Sequence, residues 1–350
     1  MAISMSPQRL EKIAMRAIEL TEPKLDAFRA ATIPDPQPPG PGEVLVRLRA
    51  ASMNFMDIAV ATGAYPAPRF PLIPVADGAG EIASVGKGVR EWTIGQRVAP
   101  HFMPNWLSGP IVPDRVAAMR GVHLPGSLAE YIVAPATSLA SVPDHLTFEQ
   151  AATLPIAATA AWNAMKAGHV GKGSTVLLLG TGGVSVYAAQ FAKALGARVI
   201  LTSSSDEKLD RARRDLGVDE TINYRETPAW DAEALKRTEG YGADLVIDIG
   251  GEATLRRSIA SAAYGGVVFV IGFLSGVTPA IDILPLIVKG MTVKGNNTGS
   301  VADLREAAEA IAKHRIQPVV DRTFGIVEAA EAYAHMAAGG LHFGKIALVH

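Results

Sequence analysis

The chain has 350 residues, 49% of them hydrophobic, which suits about two domains with sizeable cores. Its formal net charge is −1 and no Lys/Arg run stands out, so nucleic acid and anionic membrane are poor partners. It has no cysteine, which excludes disulfides, thiolate metal sites and a cysteine nucleophile.

The first stretch, MAISMSPQRLEKIAMRAIEL, carries Arg9, Glu11, Lys12 and Arg16 where a signal peptide needs an apolar run. No apolar run approaches the roughly 18 residues of a membrane span. A soluble, cytoplasmic protein is expected. VLVRLRA (44–50), EIASVG (81–86) and EYIVAP (130–135) alternate as half-buried strands do. Pro and Gly punctuate this region densely, as in PDPQPPGPGE (34–43), so the head reads as β-rich with many turns.

The middle changes rhythm. The apolar runs STVLLLG (174–180), ARVILT (197–202), ADLVIDI (243–249) and GGVVFVI (265–271) read as buried strands. Helical stretches over about 183–195 and from about 206 alternate with the first of them. That alternation predicts a parallel sheet covered on both faces. In the tail, residues 301–314 and 327–337 form amphipathic helices, and KIALV (345–349) is a final strand. The fold class is α/β, with an α/β domain inserted into a β-rich one.

VLLLGTGGVSVYAAQFAKALGARVILT carries the strongest chemical signal. A buried strand ends at Gly180, then Thr181, Gly182, Gly183, Val184 and Ser185 lead into a helix. Gly180 permits a tight turn. Gly182 lets the backbone approach a pyrophosphate, and the helix N-terminus offers it N–H groups. Ser185 replaces the third glycine of the dinucleotide pattern, and its small side chain still allows close helix–strand packing. An ordinary strand–helix turn is the plainer alternative.

The next strand ends near Thr202, so Ser203 falls where an acid would accept the ribose 2′-hydroxyl of NAD and repel the 2′-phosphate of NADP. Ser203 and Ser204 donate hydrogen bonds and Lys208 brings positive charge, which favours NADP. Asp206 and Glu207 suit a helix start, and SSSDE also serves as a helix cap.

These residues resemble the medium-chain dehydrogenase/reductase superfamily, with its alcohol dehydrogenases and quinone reductases. The resemblance runs through GEVLVRLRAASMNFMDIAVATGAYP, PLIPVADGAGEIASVGKGVREWTIGQRV, GSLAEYIVAP, AATLPIAATAAWNAM, INYRE, IGFLSG and HFGKIALV. It implies two domains: a GroES-like catalytic domain from residues 1–150 and 294–350, and a Rossmann NADP-binding domain from 151–293.

The departures carry chemistry. Zinc-dependent members have a Cys ligand where Asn54 stands and a His ligand where Ala76 stands, and Ile156 falls near the third ligand position. The structural zinc lobe needs four cysteines, and the segment 103–126 lies in that region instead. The eight histidines show no local ligand pair. A zinc-independent enzyme with no metal is expected. Asp57 and Asp77 match the acids beside the family's metal site.

The resemblance implies Asn54, Tyr65 and Asp57 as candidate catalytic residues. Asn54 would donate to a substrate carbonyl, and Asp57 would support the loop rather than transfer a proton. Thr159 would touch the nicotinamide, Gly180 to Val184 the pyrophosphate, and Ser203, Ser204, Lys208 and Tyr224 the adenosine phosphate. Gly272, Phe273 and Leu274 would lie beside the nicotinamide, with Asn296, Asn297 and Lys345 as further cofactor candidates. Zinc-free relatives reduce quinones or activated alkenes, so an NADPH-dependent reductase of such small molecules is expected. A metal-free alcohol or ketone oxidoreductase and a non-catalytic NADP-binding protein stay open. A homodimer joined at Rossmann sheet edges is also expected, with VVFVIGFLSG and LIVKGMTVKG as the edge.

Overall fold

The computed structural model describes residues 14–350. Arg9, Glu11 and Lys12 lie outside the described residues. The chain opens with a hairpin that the sequence reading did not assign, β1 (Ala14–Leu20) and β2 (Phe28–Pro34). A mixed sheet follows from β3 (Glu43–Ser52), β4 (Asp77–Val85), β5 (Arg97–Pro100), β6 (Tyr131–Pro135) and β7 (Leu139–Ser141). In β3 the expected alternation is present: Val44, Val46 and Leu48 are buried, while Arg47 and Arg49 are exposed. The apolar set fills a core with Ile82, Val98, Ile132 and Leu139.

The middle of the chain builds a second sheet from β8 (Thr175–Leu179), β9 (Arg198–Ser203), β10 (Glu220–Asn223), β11 (Ala243–Asp248), β12 (Ala262–Val270) and β13 (Thr292–Gly295). Its order is β10-β9-β8-β11-β12-β13, and every pairing is parallel. This is the doubly wound arrangement, in which a ligand binds where the strand order reverses. All five residues of β8 are buried because helices cover both faces. Val176 and Leu178 pack on one side with Val186, Ala189 and Leu209. Leu177 and Leu179 pack on the other with Trp230 and Ile259. The sheet runs on through Gly295, past the expected boundary at residue 293.

The tail then returns. β14 (Val320–Gly325) and β15 (Lys345–Val349) join the first sheet, with β15 antiparallel to β3. The helix Val301–His314 buries Leu304, Ala307 and Ile311 in a core shared with Ala50 and Ala79 of the first sheet and Val176 of the second. One continuous apolar cluster therefore joins the two sheets. Among the described residues no helix is long and apolar enough to cross a membrane.

Leu304 is completely buried in that shared cluster. Leu304→Ala is expected to lower stability by about 2–5 kcal/mol. A lower urea midpoint at unchanged slope would show it. An unchanged midpoint would mean that this helix does not belong to the shared core.

Candidate active site

The nucleotide turn has the expected form. Gly180 sits at φ 73°, a left-handed conformation that favours glycine. No atom lies within 4 Å of where a Cβ on Gly182 would stand, so the turn leaves open space there. The helix Gly183–Ala194 starts without a side-chain cap, which leaves its first N–H groups for an anion. Ser185 is buried, and its hydroxyl donates to Leu179 O at 2.7 Å. The small polar residue thus preserves close helix–strand packing. Val184 packs partly buried against the same core. These features fit a dinucleotide pyrophosphate.

The reader loop divides its labour. Ser205 caps the helix Asp206–Leu216 by accepting from the Lys208 N–H. Ser203 closes β9 and is 4% exposed, whereas Ser204 is half-buried. Asp206 and Glu207 are exposed, as expected of acids at a helix start, and Asp206 accepts from the Asn223 amide at 2.9 Å. Tyr224, just past β10, is exposed. Lys208 departs from expectation. Its Nζ donates to Gly340 O at 2.5 Å and His342 O at 2.7 Å, so it already ties the reader helix to the C-terminal loop. Burial pushes its pKa below the usual lysine range.

Two of the candidate catalytic residues, Asn54 and Asp57, lie in a buried polar cluster. Asn54 precedes the short helix Phe55–Ala61, and its backbone N–H donates to Asp57 Oδ2 at 2.7 Å. Asp57 Oδ1 accepts from Ala76 N at 3.1 Å, so Asp57 clamps the start of this helix to the start of β4. The Asn54 side chain is held at both ends. Its Nδ2 donates to Asp77 Oδ2 at 2.9 Å and weakly to Ser52 O at 3.4 Å. Its Oδ1 accepts from Lys345 Nζ at 2.6 Å. Asn54 is 8% exposed and both amide protons face protein acceptors. Buried carboxylate and ammonium neighbours thus engage the amide that the sequence pairs with a substrate carbonyl.

Asp77 matters more than its neighbourhood in VADGAG suggested. Its Oδ2 also accepts from Ile156 N at 3.2 Å, and its Oδ1 is buried without a partner. Burial pushes its pKa up to about 7, against the opposing pull of Lys345 and Asn54. Burial likewise pushes Asp57 up to about 6, against hydrogen bonds from Asn54 and Ala76. Nearby, Thr153 and Tyr187 share a buried 2.5 Å hydrogen bond.

The other candidates make contacts of their own. Thr159 is buried where a π-turn, Leu154–Ala158, passes into the helix Thr159–Ala167, and its hydroxyl donates to Leu154 O at 3.4 Å. Tyr65 is half-buried, and among the described residues its hydroxyl finds only the Met119 sulfur, at 3.9 Å. Gly272 lies so close to Ile249 O that a Cβ would collide with it. Phe273 and Leu274 beyond it are exposed. The Phe273 ring meets Phe55 edge-on at 5.7 Å, joining the loop after β12 to the residue next to Asn54. Phe55 was not anticipated, since a single aromatic beside Asn54 carries no signal until its distant partner is known. Asn296 pairs with Asn163 at 3.0 Å, and Asn297 is exposed in the loop after β13. These two asparagines stand apart from the Asn54 cluster in the contacts they make.

The family's zinc positions offer no donor set. Ala76 has none, Ile156 supplies a backbone N–H to Asp77, and Asn54 Oδ1 is taken by an ammonium. Among the described residues no three His, Cys, Asp or Glu side chains group so as to hold a metal ion.

The profile described as "Alcohol dehydrogenase GroES-like domain" matches residues 40–144, and that described as "Zinc-binding dehydrogenase" matches 183–313. The chain is 42% identical over 321 residues to a zinc-type alcohol dehydrogenase-like protein of Schizosaccharomyces pombe, covering 89% of this chain and 92% of that one. It is 32% identical over 315 residues to a quinone oxidoreductase of Pseudomonas aeruginosa, covering 87% and 90%. The crystal structure of a putative alcohol dehydrogenase from Sinorhizobium meliloti superposes with a TM-score of 0.90 at 34% identity, covering 97% of this chain and 100% of that one. With its doubly wound sheet, open nucleotide turn and these relatives, the chain belongs to the medium-chain dehydrogenase/reductase superfamily and is an NAD(P)-dependent oxidoreductase.

Proposed function

We propose that the protein is a zinc-independent, NADPH-dependent reductase of quinones or α,β-unsaturated carbonyls. The observation that carries this reading is that the three ligand positions hold Asn54, Ala76 and Ile156, and that the Asn54 amide is engaged by Asp77 and Lys345. Oxidation of a simple alcohol in this superfamily draws on zinc to stabilise an alkoxide. A conjugated carbonyl or quinone makes a smaller demand, because the charge that develops spreads onto oxygen, where hydrogen-bond donors stabilise it. The quinone oxidoreductase relative supports the same substrate class.

Bound NADPH supplies the hydride. The turn Gly180–Gly183 would hold its pyrophosphate, and Ser203, Ser204, Lys208 and Tyr224 would bind its adenosine phosphate. Asp57 holds Asn54 in register with β4. Tyr65, whose hydroxyl meets only sulfur, is the candidate donor to the substrate oxygen. Phe55 and Phe273 present apolar ring surface to a flat conjugated substrate.

A substrate panel tests the chemistry. Enones, enals or quinones are expected to be reduced faster than saturated ketones at equal concentration. Turnover of simple alcohols alone, and only after zinc is added, would overturn the reading.

For the cofactor, Lys208 leaves two carbonyl acceptors when it meets a 2′-phosphate. Lys208→Ala is expected to weaken NADPH binding by roughly 10- to 100-fold, the worth of one charge-assisted hydrogen bond, with NADH little changed. Titration of both nucleotides checks this, and an equal loss for both would remove Lys208 from the phosphate site.

We also propose a homodimer through β13, whose four residues are all exposed beside exposed Ile283, Leu284, Ile287 and Val288. An uncovered apolar strand edge is a template for pairing. Light scattering is expected to give a dimer mass, and Val293→Lys a monomer. A monomer mass for the unaltered protein would refute the dimer.

A further inference from the structure

We propose that Lys345 is a positioning residue: it supplies the buried positive charge of the active site and fixes the orientation of the Asn54 amide. The inference rests on the reading of Asn54 as an active-site residue. It goes beyond it by assigning Lys345 to the catalytic side of the site, not only to the cofactor.

The geometry is specific. Lys345 opens β15, antiparallel to β3, which ends just before Met53 and Asn54. Gly344 N donates to Thr181 O at 2.8 Å, which pins this backbone against the nucleotide turn. The lysine stem then crosses Gly183, where a Cβ would collide with Lys345 Cδ. Glycine at 183 therefore leaves room for the lysine as well as for the turn. The ammonium ends on Met53 O and on Asn54 Oδ1, the latter at 2.6 Å. The residue is only 5% exposed.

Donor and acceptor chemistry makes the arrangement directional. An ammonium only donates and a carboxylate only accepts, whereas an amide presents one of each. With Lys345 on Oδ1 and Asp77 on Nδ2, the Asn54 amide has one favourable orientation. Turning it over would set N–H against N–H and oxygen against oxygen. Without Lys345 the oxygen end loses its charged partner, and the two buried carboxylates lose their cation.

Five titratable groups from five elements face this cluster. Asp57 comes from the helix Phe55–Ala61, Asp77 from β4 and Lys345 from β15. Tyr187 comes from the helix Gly183–Ala194 and Tyr333 from Ala329–Ala337. Burial pushes both tyrosine hydroxyls up, so they stay protonated through neutral pH. His342 lies nearby, and burial pushes it down to about 4, so it stays neutral above pH 5. The groups left to respond are Asp57, Asp77 and Lys345.

Asp77 binds its proton more tightly folded than unfolded, so its ionisation weakens the fold as pH rises from about 4 towards 7. Removing Lys345 tightens that proton binding further. In Lys345→Met the weakening therefore continues above pH 7, where the unaltered protein has completed it.

The test uses Lys345→Met, Lys345→Arg, Asn54→Ala and the double variant Asn54→Ala/Lys345→Met. Lys345→Met is expected to lower kcat about 100-fold with NADPH affinity little changed, as for loss of one preorganised electrostatic contact. Lys345→Arg, which keeps the charge, is expected to recover part of the rate. In the Asn54→Ala background the lysine change is expected to add no further loss, because the two act as a unit. Without any substrate, melting temperatures across pH 6–9 are expected to show a gap between Lys345→Met and the unaltered protein that widens above pH 7. Weakened NADPH binding with kcat unchanged would make Lys345 a phosphate ligand and overturn the proposal. Additive losses in the double variant, or a melting gap constant with pH, would also overturn it. The melting experiment decides even where no quinone or enone is reduced, so failure of the substrate reading stays distinguishable.

Discussion

Two carboxylates, Asp57 and Asp77, lie fully buried a short distance from the nucleotide turn, and the surrounding structure is arranged to make that burial tolerable. Carboxylates out of water need hydrogen-bond donors and a nearby cation. Backbone N–H groups of Asn54, Ala76 and Ile156 provide donors, the Asn54 amide provides another, and Lys345 provides the charge. These partners come from the cap of the helix after β3, from the residue before β4, from the π-turn and from the last strand. The polar cluster thus ties together segments from opposite ends of the chain.

The segment from Gly340 to Lys345 concentrates this linkage. Lys208 from the reader helix grips its first carbonyls, Gly344 binds the nucleotide turn, and Lys345 enters the Asn54 cluster. The proposed adenosine, pyrophosphate and reacting sites therefore share one short stretch of backbone. The Phe55–Phe273 contact joins the loop after β12 to the helix that follows Asn54. The apolar core that includes Leu304, Ala50 and Val176 lies beneath them, so the two sheets behave as one packed body.

Much of the framework was legible residue by residue. TVLLL reads as a strand buried on both faces, and β8 is one. The glycine turn reads as a tight backbone with open space, and Gly180 and Gly182 have that form. The helix over 301–314 and the strand over 345–349 match the structure's bounds. The hairpin of β1 and β2 escaped because the alternation of β1 breaks at Ala17 and Ile18, which are both buried, and β2 buries no residue fully. Lys208 was legible as a charge near the ribose position, but its acceptors, Gly340 O and His342 O, lie 132 and 134 residues away.

The sequence by itself determined the order of elements, the presence of a dinucleotide turn and the absence of thiolate zinc ligands. Each of these follows from local periodicity, from glycine's backbone freedom or from plain residue identity. Only the tertiary structure decided what the long and polar side chains do. Asn54 reads as a candidate donor, yet its amide is oriented by Lys345, 291 residues away, and by Asp77, 23 residues away. A side chain's hydrogen-bond partners are chosen by whatever the fold brings within about 3 Å. No local pattern encodes that choice when the partner sits at the other end of the chain.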